Sequence, residues 1–177
     1  MKARLLIMVL ALQTVVIAGL AFWHESALHT GIEILLETAP VDPRDLLRGD
    51  YVILSYKVGA VRRDRFISPP ENDVKAGRDI WVALKKPGEF YEVDRASFTP
   101  LVPDSEEVVL RGKTAWAVRD SVQVEYGLER YYVREGTGNP RGKLTVKAVV
   151  AGSGRAQIKE VFLNGKPYVD AMRGMSQ

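Results

Sequence analysis

The first hydrophobic segment of the chain is an apolar run from Leu5 to Trp23, interrupted only by Gln13 and Thr14. At about 1.5 Å per residue, a helix of this length covers roughly 30 Å, which is the thickness of the hydrocarbon core of a bilayer. A cleaved signal peptide is the alternative, but its apolar region usually has only about 7–15 residues. The pattern therefore favours an uncleaved transmembrane signal anchor over residues 1–23.

The charges around this run predict its orientation. Lys2 and Arg4 precede it, and Trp23 ends it. Because basic residues stay on the cytoplasmic side, the N-terminus is expected in the cytoplasm. This predicts a single-pass protein of the cytoplasmic (inner) membrane, with residues 24–177 as an extracytoplasmic domain.

Beyond the anchor, hydrophobic and polar residues alternate with a period of two, which is typical of half-buried strands. Residues 32–37 show this alternation, and the strand that starts at Tyr51 repeats it. The predicted buried face of that second strand consists of Val52, Leu54, Tyr56 and Val58. Short strands without long helices between them continue to the C-terminus. Residues 24–177 are therefore predicted to form an all-β domain, an antiparallel sandwich or a barrel-like fold.

Turn residues separate the predicted strands. A single helical turn is expected over residues 42–49, with Asp42 as its N-cap and Gly49 as its left-handed end. Pro87-Gly88 suits a type II turn between two strands. Asn164-Gly165 favours a type I′ hairpin turn that leads into a strand at Tyr168 and Val169.

One longer strand contains a glycine. Its predicted shared face consists of Val108, Leu110, Thr114, Trp116 and Val118. Gly112 lies inside this strand, where glycine indicates a bulge or the close approach of another backbone.

Charge and composition exclude several classes of protein. Two of the 25 Lys and Arg residues, and none of the 22 Asp and Glu residues, lie in residues 1–23, so residues 24–177 carry a net charge of only +1. A nucleic-acid-binding domain would be expected to carry a basic stripe, so no nucleic-acid partner is predicted. The chain has no cysteine, which excludes disulfides, thiolate nucleophiles and cysteine metal sites. No cofactor is predicted.

Three aspartates, Asp42, Asp45 and Asp50, lie within nine positions of the sequence. Such a group could bind a hard cation or divide acid and base roles. Capping and turn hydrogen bonds explain the same residues without a bound cation, so no metal site is predicted.

Two further patterns are weak candidates for chemistry. Ser55 and Lys57 point to the same side of one strand, which invites a Ser-Lys dyad, but nothing in the sequence indicates that the lysine is desolvated. His24 and His29 lie next to the membrane and are expected to be solvated. No catalytic residue is predicted.

The run Gly49-Asp50-Tyr51-x-x-Leu54-x-Tyr56 matches every fixed position of the signature of the bacterial GDYxxLxY protein family. The resemblance also covers residues 40–48, residues 130–136 and the Asn164-Gly165 hairpin. It implies a small membrane-tethered exported protein, similar to domains that occur beside or fused to polytopic membrane proteins. The candidate binding residues that it implies are Arg48, Gly49, Asp50, Tyr51, Leu54, Tyr56, Tyr132, Arg134 and Glu135.

A second, more distant resemblance is to the type I signal peptidases. Those enzymes also have a membrane anchor, an all-β domain and a proline shortly before a Gly-Asp pair, and residues 43–52 look like that segment. The catalytic serine does not carry over, because Pro40, Val41 and Asp42 occupy its place. Lys85, Lys86 and Lys113 lie in a turn or on polar faces, where a lysine stays protonated and cannot act as a general base.

These observations lead to one main functional prediction and two alternatives. The main prediction is a non-enzymatic accessory domain that binds a polytopic membrane protein. The first alternative is an envelope-acting hydrolase, in which Arg48, Asp50 and Glu135 would be the polar groups to test. The second is a ligand or glycan sensor that uses exposed tyrosines, since tyrosine is favoured where one end of a side chain is wet.

Overall fold

The computed structural model describes residues 7–19, 31–39, 51–68, 74–133 and 142–173. Residues 7–19 are helical (α1). The strands that follow are β1 (Ile32–Glu37), β2 (Tyr51–Ile53), β3 (Ala60–Arg62), β4 (Asp79–Lys85), β5 (Glu92–Ser97), β6 (Val108–Ala117), β7 (Ser121–Glu125), β8 (Arg130–Tyr132), β9 (Leu144–Val150), β10 (Ala156–Leu163) and β11 (Lys166–Pro167). A short helix, α2 (Tyr168–Arg173), ends the described chain.

The strands form three sheets in which all neighbouring strands are antiparallel. One sheet has the order β1-β9-β10-β11, one has the order β3-β7-β6-β4-β5, and β2 pairs with β8 alone. Strands that follow one another closely can pair through short turns, which explains why β9, β10 and β11 are neighbours. The prediction of an antiparallel, mainly β domain is confirmed.

Backbone hydrogen bonds between the sheets bring them together into a near-barrel. The Arg111 N–H donates to the Gly154 carbonyl over 2.8 Å, which ties β6 to the turn between β9 and β10. The Tyr91 N–H donates to the Leu35 carbonyl over 3.1 Å, which ties the β4–β5 loop to β1. An isolated bridge between Thr38 and Tyr56 joins the end of β1 to the segment after β2.

One hydrophobic core fills the space between the sheets. Val52, Leu54, Tyr56 and Val58 are each at most 3% exposed, so the predicted buried face is confirmed. They pack in the same cluster as Ile34 and Leu36 of β1. Period-two alternation is therefore a sufficient guide to burial in this part of the chain.

The alternation fails at one point in β6. Gly112 lies where a Cβ atom would come within 2.7 Å of the Glu125 carbonyl oxygen, so the predicted close backbone approach is confirmed. A register shift between Thr114 and Trp116 then reverses the faces of the strand. Trp116 and Val118 are 59% and 53% exposed as a result, so the prediction that they share a face with Val108, Leu110 and Thr114 is wrong.

The turns agree only in part with the sequence pattern. Asn164 and Gly165 have φ angles of 51° and 80°, as the predicted type I′ turn requires. The strand predicted after it ends at Pro167, and Tyr168 begins α2 instead. Gly88 is not among the glycines with positive φ, so the predicted type II turn is wrong.

The N-terminal helix has no charged residue, and all its described residues are exposed. Within the described ranges, the structure contains no helix that is both long and apolar enough to cross a membrane. Residues 1–6 and 20–23 of the predicted anchor lie outside the described residues, as does the helical turn predicted over residues 42–49.

Candidate functional site

The pairing of β2 with β8 brings together two segments that are far apart in the sequence. Tyr51 is opposite Tyr132, Val52 is opposite Tyr131, and Ile53 is opposite Arg130. Directly opposed residues of an antiparallel pair lie on the same face. We call this pair of strands the motif sheet, and we call the side chains of Tyr51, Ile53, Arg130 and Tyr132 its outer face.

The inner side of the motif sheet is part of the hydrophobic core. Val52 and Leu54 are each 1% exposed. Tyr56 is 3% exposed, and its hydroxyl donates to the Leu128 carbonyl, 72 residues away, over 2.7 Å. Tyr126 makes the reciprocal contact, because its hydroxyl donates to the Val58 carbonyl over 2.8 Å. Leu54 and Tyr56 are thus structural residues of the family signature.

The turn between β7 and β8 contains Tyr126 and the Leu128 carbonyl that accepts from Tyr56. Gly127 has a φ angle of 81°, a conformation that favours glycine. The Tyr126 N–H donates to the Glu129 carboxylate over 2.6 Å, and the Leu54 N–H donates to the Glu129 carbonyl over 2.8 Å. Side chain and backbone of Glu129 therefore fix the turn and align β2 with β8.

Burial determines the protonation of the two core tyrosines. Desolvation, followed by the nearby Glu129 carboxylate, raises the pKa of Tyr56 and of Tyr126 well above the ordinary value of 10.0. Desolvation raises a tyrosine pKa because it disfavours the charged phenolate. Both hydroxyls are therefore neutral donors at physiological pH, and neither can act as a general base.

The outer face is aromatic and basic. The Tyr51 and Tyr132 rings lie 6.0 Å apart at an angle of 60°, which is an edge-to-face contact. The guanidinium carbon of Arg130 lies 5.8 Å from the centre of the Tyr51 ring, close enough for a cation–π interaction. Tyr132 is 71% exposed. This side of the motif sheet presents aromatic surface to solvent in an ordered arrangement.

A second tyrosine pair lies next to the first. The rings of Tyr131 and Tyr168 are 5.6 Å apart at 81°, which attaches the start of α2 to β8. Tyr168 is 3% exposed, and within the described residues its hydroxyl has no hydrogen-bond partner. Burial raises its pKa above the usual value. This contact packs α2 against the face of β8 that Tyr131 shares with Val52.

The structure places four of the nine predicted binding residues. Tyr51 and Tyr132 lie on the outer face, whereas Leu54 and Tyr56 lie in the core. The other five lie outside the described residues: Arg48, Gly49, Asp50, Arg134 and Glu135. The polar groups expected of a hydrolase are among these five.

The weaker candidates for chemistry find little support in the described chain. Lys57 is 58% exposed and forms an ion pair of 2.6 Å with Glu37, so it is not the desolvated lysine that a Ser-Lys dyad needs. Among the described residues, no group of three potential ligands could hold a metal ion. Asp42, Asp45 and Asp50 lie outside them, as do both histidines.

A groove of about 550 Å³ lies between β6, β7 and the start of β10. Its charged lining includes Asp79, whose carboxylate accepts from Arg111 over 3.2 Å and from Lys113 over 3.3 Å. These contacts, with Arg111 first, lower the pKa of Asp79. The carboxylate is thus held ionised by its two cations rather than poised to transfer a proton.

The sequence pattern missed two parts of the site. The hydrogen bonds from Tyr56 to Leu128 and from Tyr126 to Val58 were not predicted, because a hydrogen bond to a distant carbonyl leaves no periodic signal. Glu129 was missed for the same reason; Gly127, two residues before it, is of a residue type that is favoured in turns and would have been a local signal.

The fold and the site define a class of protein: an antiparallel near-barrel with a separate two-stranded sheet that carries half-buried Tyr51 and exposed Tyr132. The family model described as GDYXXLXY protein matches residues 13–161, so the chain belongs to this family. No curated protein and no solved structure matches the chain. The family match does not test the likeness to type I signal peptidases, which stays a prediction.

Proposed function

We propose that this protein is a membrane-anchored extracytoplasmic β domain that binds a polytopic membrane protein through the outer face of its motif sheet. The proposal makes it a non-enzymatic accessory module. The observation that carries it is the aromatic pair of half-buried Tyr51 and exposed Tyr132, the latter at 71% exposure, on the two strands that bring the family motif together.

The composition of the outer face supports binding rather than catalysis. Tyrosine and arginine are enriched among the residues that dominate protein–protein binding energy. Tyr51 and Arg130 contact each other through their side chains, so they lose little conformational freedom when a partner arrives. Leu54 and Tyr56 support this face from the core and do not themselves reach a partner.

The anchor rests on the character of α1. Its large apolar side chains, from Ile7 to Ile17, are between 43% and 68% exposed, so the domain does not cover them. The Thr14 hydroxyl donates to the Leu10 carbonyl over 2.9 Å, which satisfies its polar group within the helix. Internal satisfaction of this kind is what a hydrocarbon environment demands. Together with Lys2 and Arg4 at the N-terminus, this supports a single pass with residues 24–177 outside the cytoplasm.

Co-purification from native membranes tests the proposal. The full-length chain and its Tyr132→Ser variant would be isolated from their own cells in mild detergent, and co-purifying membrane proteins would be quantified. Trp116→Ser is the matched control, because Trp116 is an exposed aromatic residue outside the motif sheet. We expect Tyr132→Ser to reduce the recovery of a polytopic protein at least tenfold, while the control retains it.

The opposite result would be equal recovery with both variants, or recovery of no polytopic protein with the unmodified chain. Either result would contradict the proposal. The melting temperatures of the three chains should agree, which separates lost binding from lost folding.

A further inference from the structure

A groove of about 430 Å³ with a mixed polar and apolar lining lies at the start of β1, and none of its lining residues belongs to the motif sheet. Ile32 lines it together with Trp81, Pro100, Leu101 and Pro103. Ile32 is 55% exposed, and Val102, the neighbour of Leu101, is 83% exposed. Exposed apolar groups of this size that cluster in one place mark interaction sites more often than isolated ones do.

A buried ion pair holds the loop that carries Val102. The Arg95 guanidinium donates to both Glu107 carboxylate oxygens, over 3.0 Å and 2.7 Å, and also to the Val102 carbonyl over 3.1 Å. The Glu107 side chain is fully buried and accepts from the Asp104 N–H over 2.9 Å. A bidentate, charge-assisted contact of this kind fixes geometry. The exposure of Val102 is therefore part of an ordered loop.

The groove lies at the end of β1 that follows the anchor. Residues 20–30 separate α1 from Gly31, and Ile32 is the first residue of β1. The bridge from Thr38 to Tyr56, which leads to the motif sheet, lies at the other end of β1. Because β1 has six residues, the two ends are roughly 20 Å apart along the strand.

We propose that Ile32, Leu101 and Val102 contact the surface of the bilayer that holds the anchor. The groove end of the domain, which is the end of β1 at Ile32, then lies on the membrane. The inference rests on the proposed membrane anchor. The occupant is lipid because the apolar side chains lie beside the residue where the chain arrives from α1. Two acidic residues, Asp104 and Glu106, follow Val102 closely in the sequence, so the contact is with neutral lipid rather than with an anionic surface. The motif sheet then faces away from the lipid, towards the exported part of a partner.

Depth-dependent fluorescence quenching tests this contact. The chain has no cysteine, so Val102→Cys provides a single labelling site for an environment-sensitive dye. The labelled full-length chain would be reconstituted into phosphatidylcholine vesicles that contain lipids with a nitroxide near the headgroup. Val118→Cys is the matched control, since Val118 is 53% exposed and lies next to the β6–β7 turn. We expect at least threefold stronger quenching from position 102 than from position 118.

Equal quenching at the two positions would overturn the inference. A blue-shifted dye at position 102 that nitroxide lipids do not quench would also overturn it, because protein would then cover the groove, whether a partner or a second copy of this chain. Vesicle flotation separates this failure from failure of the anchor. A chain that floats but is not quenched at position 102 loses only the groove contact, whereas a chain that does not float loses the anchor and the groove contact together.

Discussion

The two ends of β1 are stabilised by different kinds of buried polar contact. At the motif end, where the bridge from Thr38 to Tyr56 leads to the motif sheet, the neutral hydroxyls of Tyr56 and Tyr126 donate to backbone carbonyls. At the groove end, Arg95 and Glu107 form a buried ion pair that holds a loop. Both contacts support a segment that presents a highly exposed side chain, Tyr132 at one end and Val102 at the other.

These two kinds of contact respond differently to acid. A neutral hydrogen bond from tyrosine does not titrate below the ordinary tyrosine pKa, and burial moves that pKa further up. A carboxylate in an ion pair loses its partner when it is protonated. The Arg95–Glu107 pair is therefore an acid-sensitive contact, and the hydrogen bonds that Tyr56 and Tyr126 donate are not.

The largest expected effect is at the motif end and comes from Leu54→Ala. Leu54 is 1% exposed, so the truncation leaves a cavity in the core and should lower the free energy of unfolding by about 3 kcal/mol. Ile53→Ala is the control, because Ile53 is the neighbouring residue on the partly exposed outer face. Urea denaturation of the full-length chain in detergent micelles measures both. Equal losses would contradict the division of the motif sheet into a core side and an outer face.

At the groove end, stability should fall in acid. Hydrogen bonds from Arg95 lower the pKa of Glu107 from 4.5 to about 2. The carboxylate therefore stabilises the fold above about pH 4.5, and this contribution, about 2 kcal/mol, disappears as the pH falls towards 2. Glu107→Gln should remove that part of the pH dependence.

Hydrogen exchange can trace the acid effect to Glu107. Between pH 5 and pH 3, protection of the Asp104 amide, which donates to Glu107, should decrease. In the Glu107→Gln chain this decrease should be absent or much smaller, because the titrating carboxylate is gone. An equal decrease in both chains would contradict the assignment of the acid effect to Glu107.

A smaller effect is expected from Tyr56→Phe. This change leaves the buried Leu128 carbonyl without its 2.7 Å hydrogen bond, which should cost about 1–2 kcal/mol of unfolding free energy. Tyr132→Phe removes the same atom from an exposed ring and should have no measurable effect on stability. Thermal unfolding of the two variants, measured side by side, distinguishes them. A lower melting temperature for Tyr132→Phe would contradict the claim that the outer face does not stabilise the fold.

The smallest effect is expected next to the groove end, at Glu33. Its carboxylate pairs with Lys159 across the surface, and both side chains are about half exposed. Solvent screening makes such a pair contribute little, so Glu33→Gln should leave the melting temperature unchanged within error. A clear decrease would show that exposed ion pairs, and not only the buried Arg95–Glu107 pair, stabilise this end.

Local patterns predicted the parts of the fold that depend on nearest neighbours. The burial of Val52, Leu54 and Tyr56 followed from alternation, and the Asn164-Gly165 turn followed from its backbone preference. Trp116 was misplaced because one extra residue in β6 reverses the faces of a strand, and no composition signal marks that residue.

Long-range partners could not be predicted in the same way. The pairing of Tyr51 with Tyr132 depends on which segments meet in the folded chain, and periodicity carries no information about that. The Arg95–Glu107 pair was missed because each residue alone looks like an ordinary surface charge. Of the candidate site, the motif residues were named from resemblance, and alternation placed Leu54 and Tyr56 in the core. The pairing that brings Tyr51 together with Tyr132 came from the structure.

The most direct test of the account is photo-crosslinking from both ends of the domain in intact cells. A photoreactive amino acid would replace Tyr132 in one chain and Val102 in another. Position 132 should capture a polytopic membrane protein, and position 102 should capture lipid. Capture of lipid from position 132, or of the same protein from both positions, would contradict it.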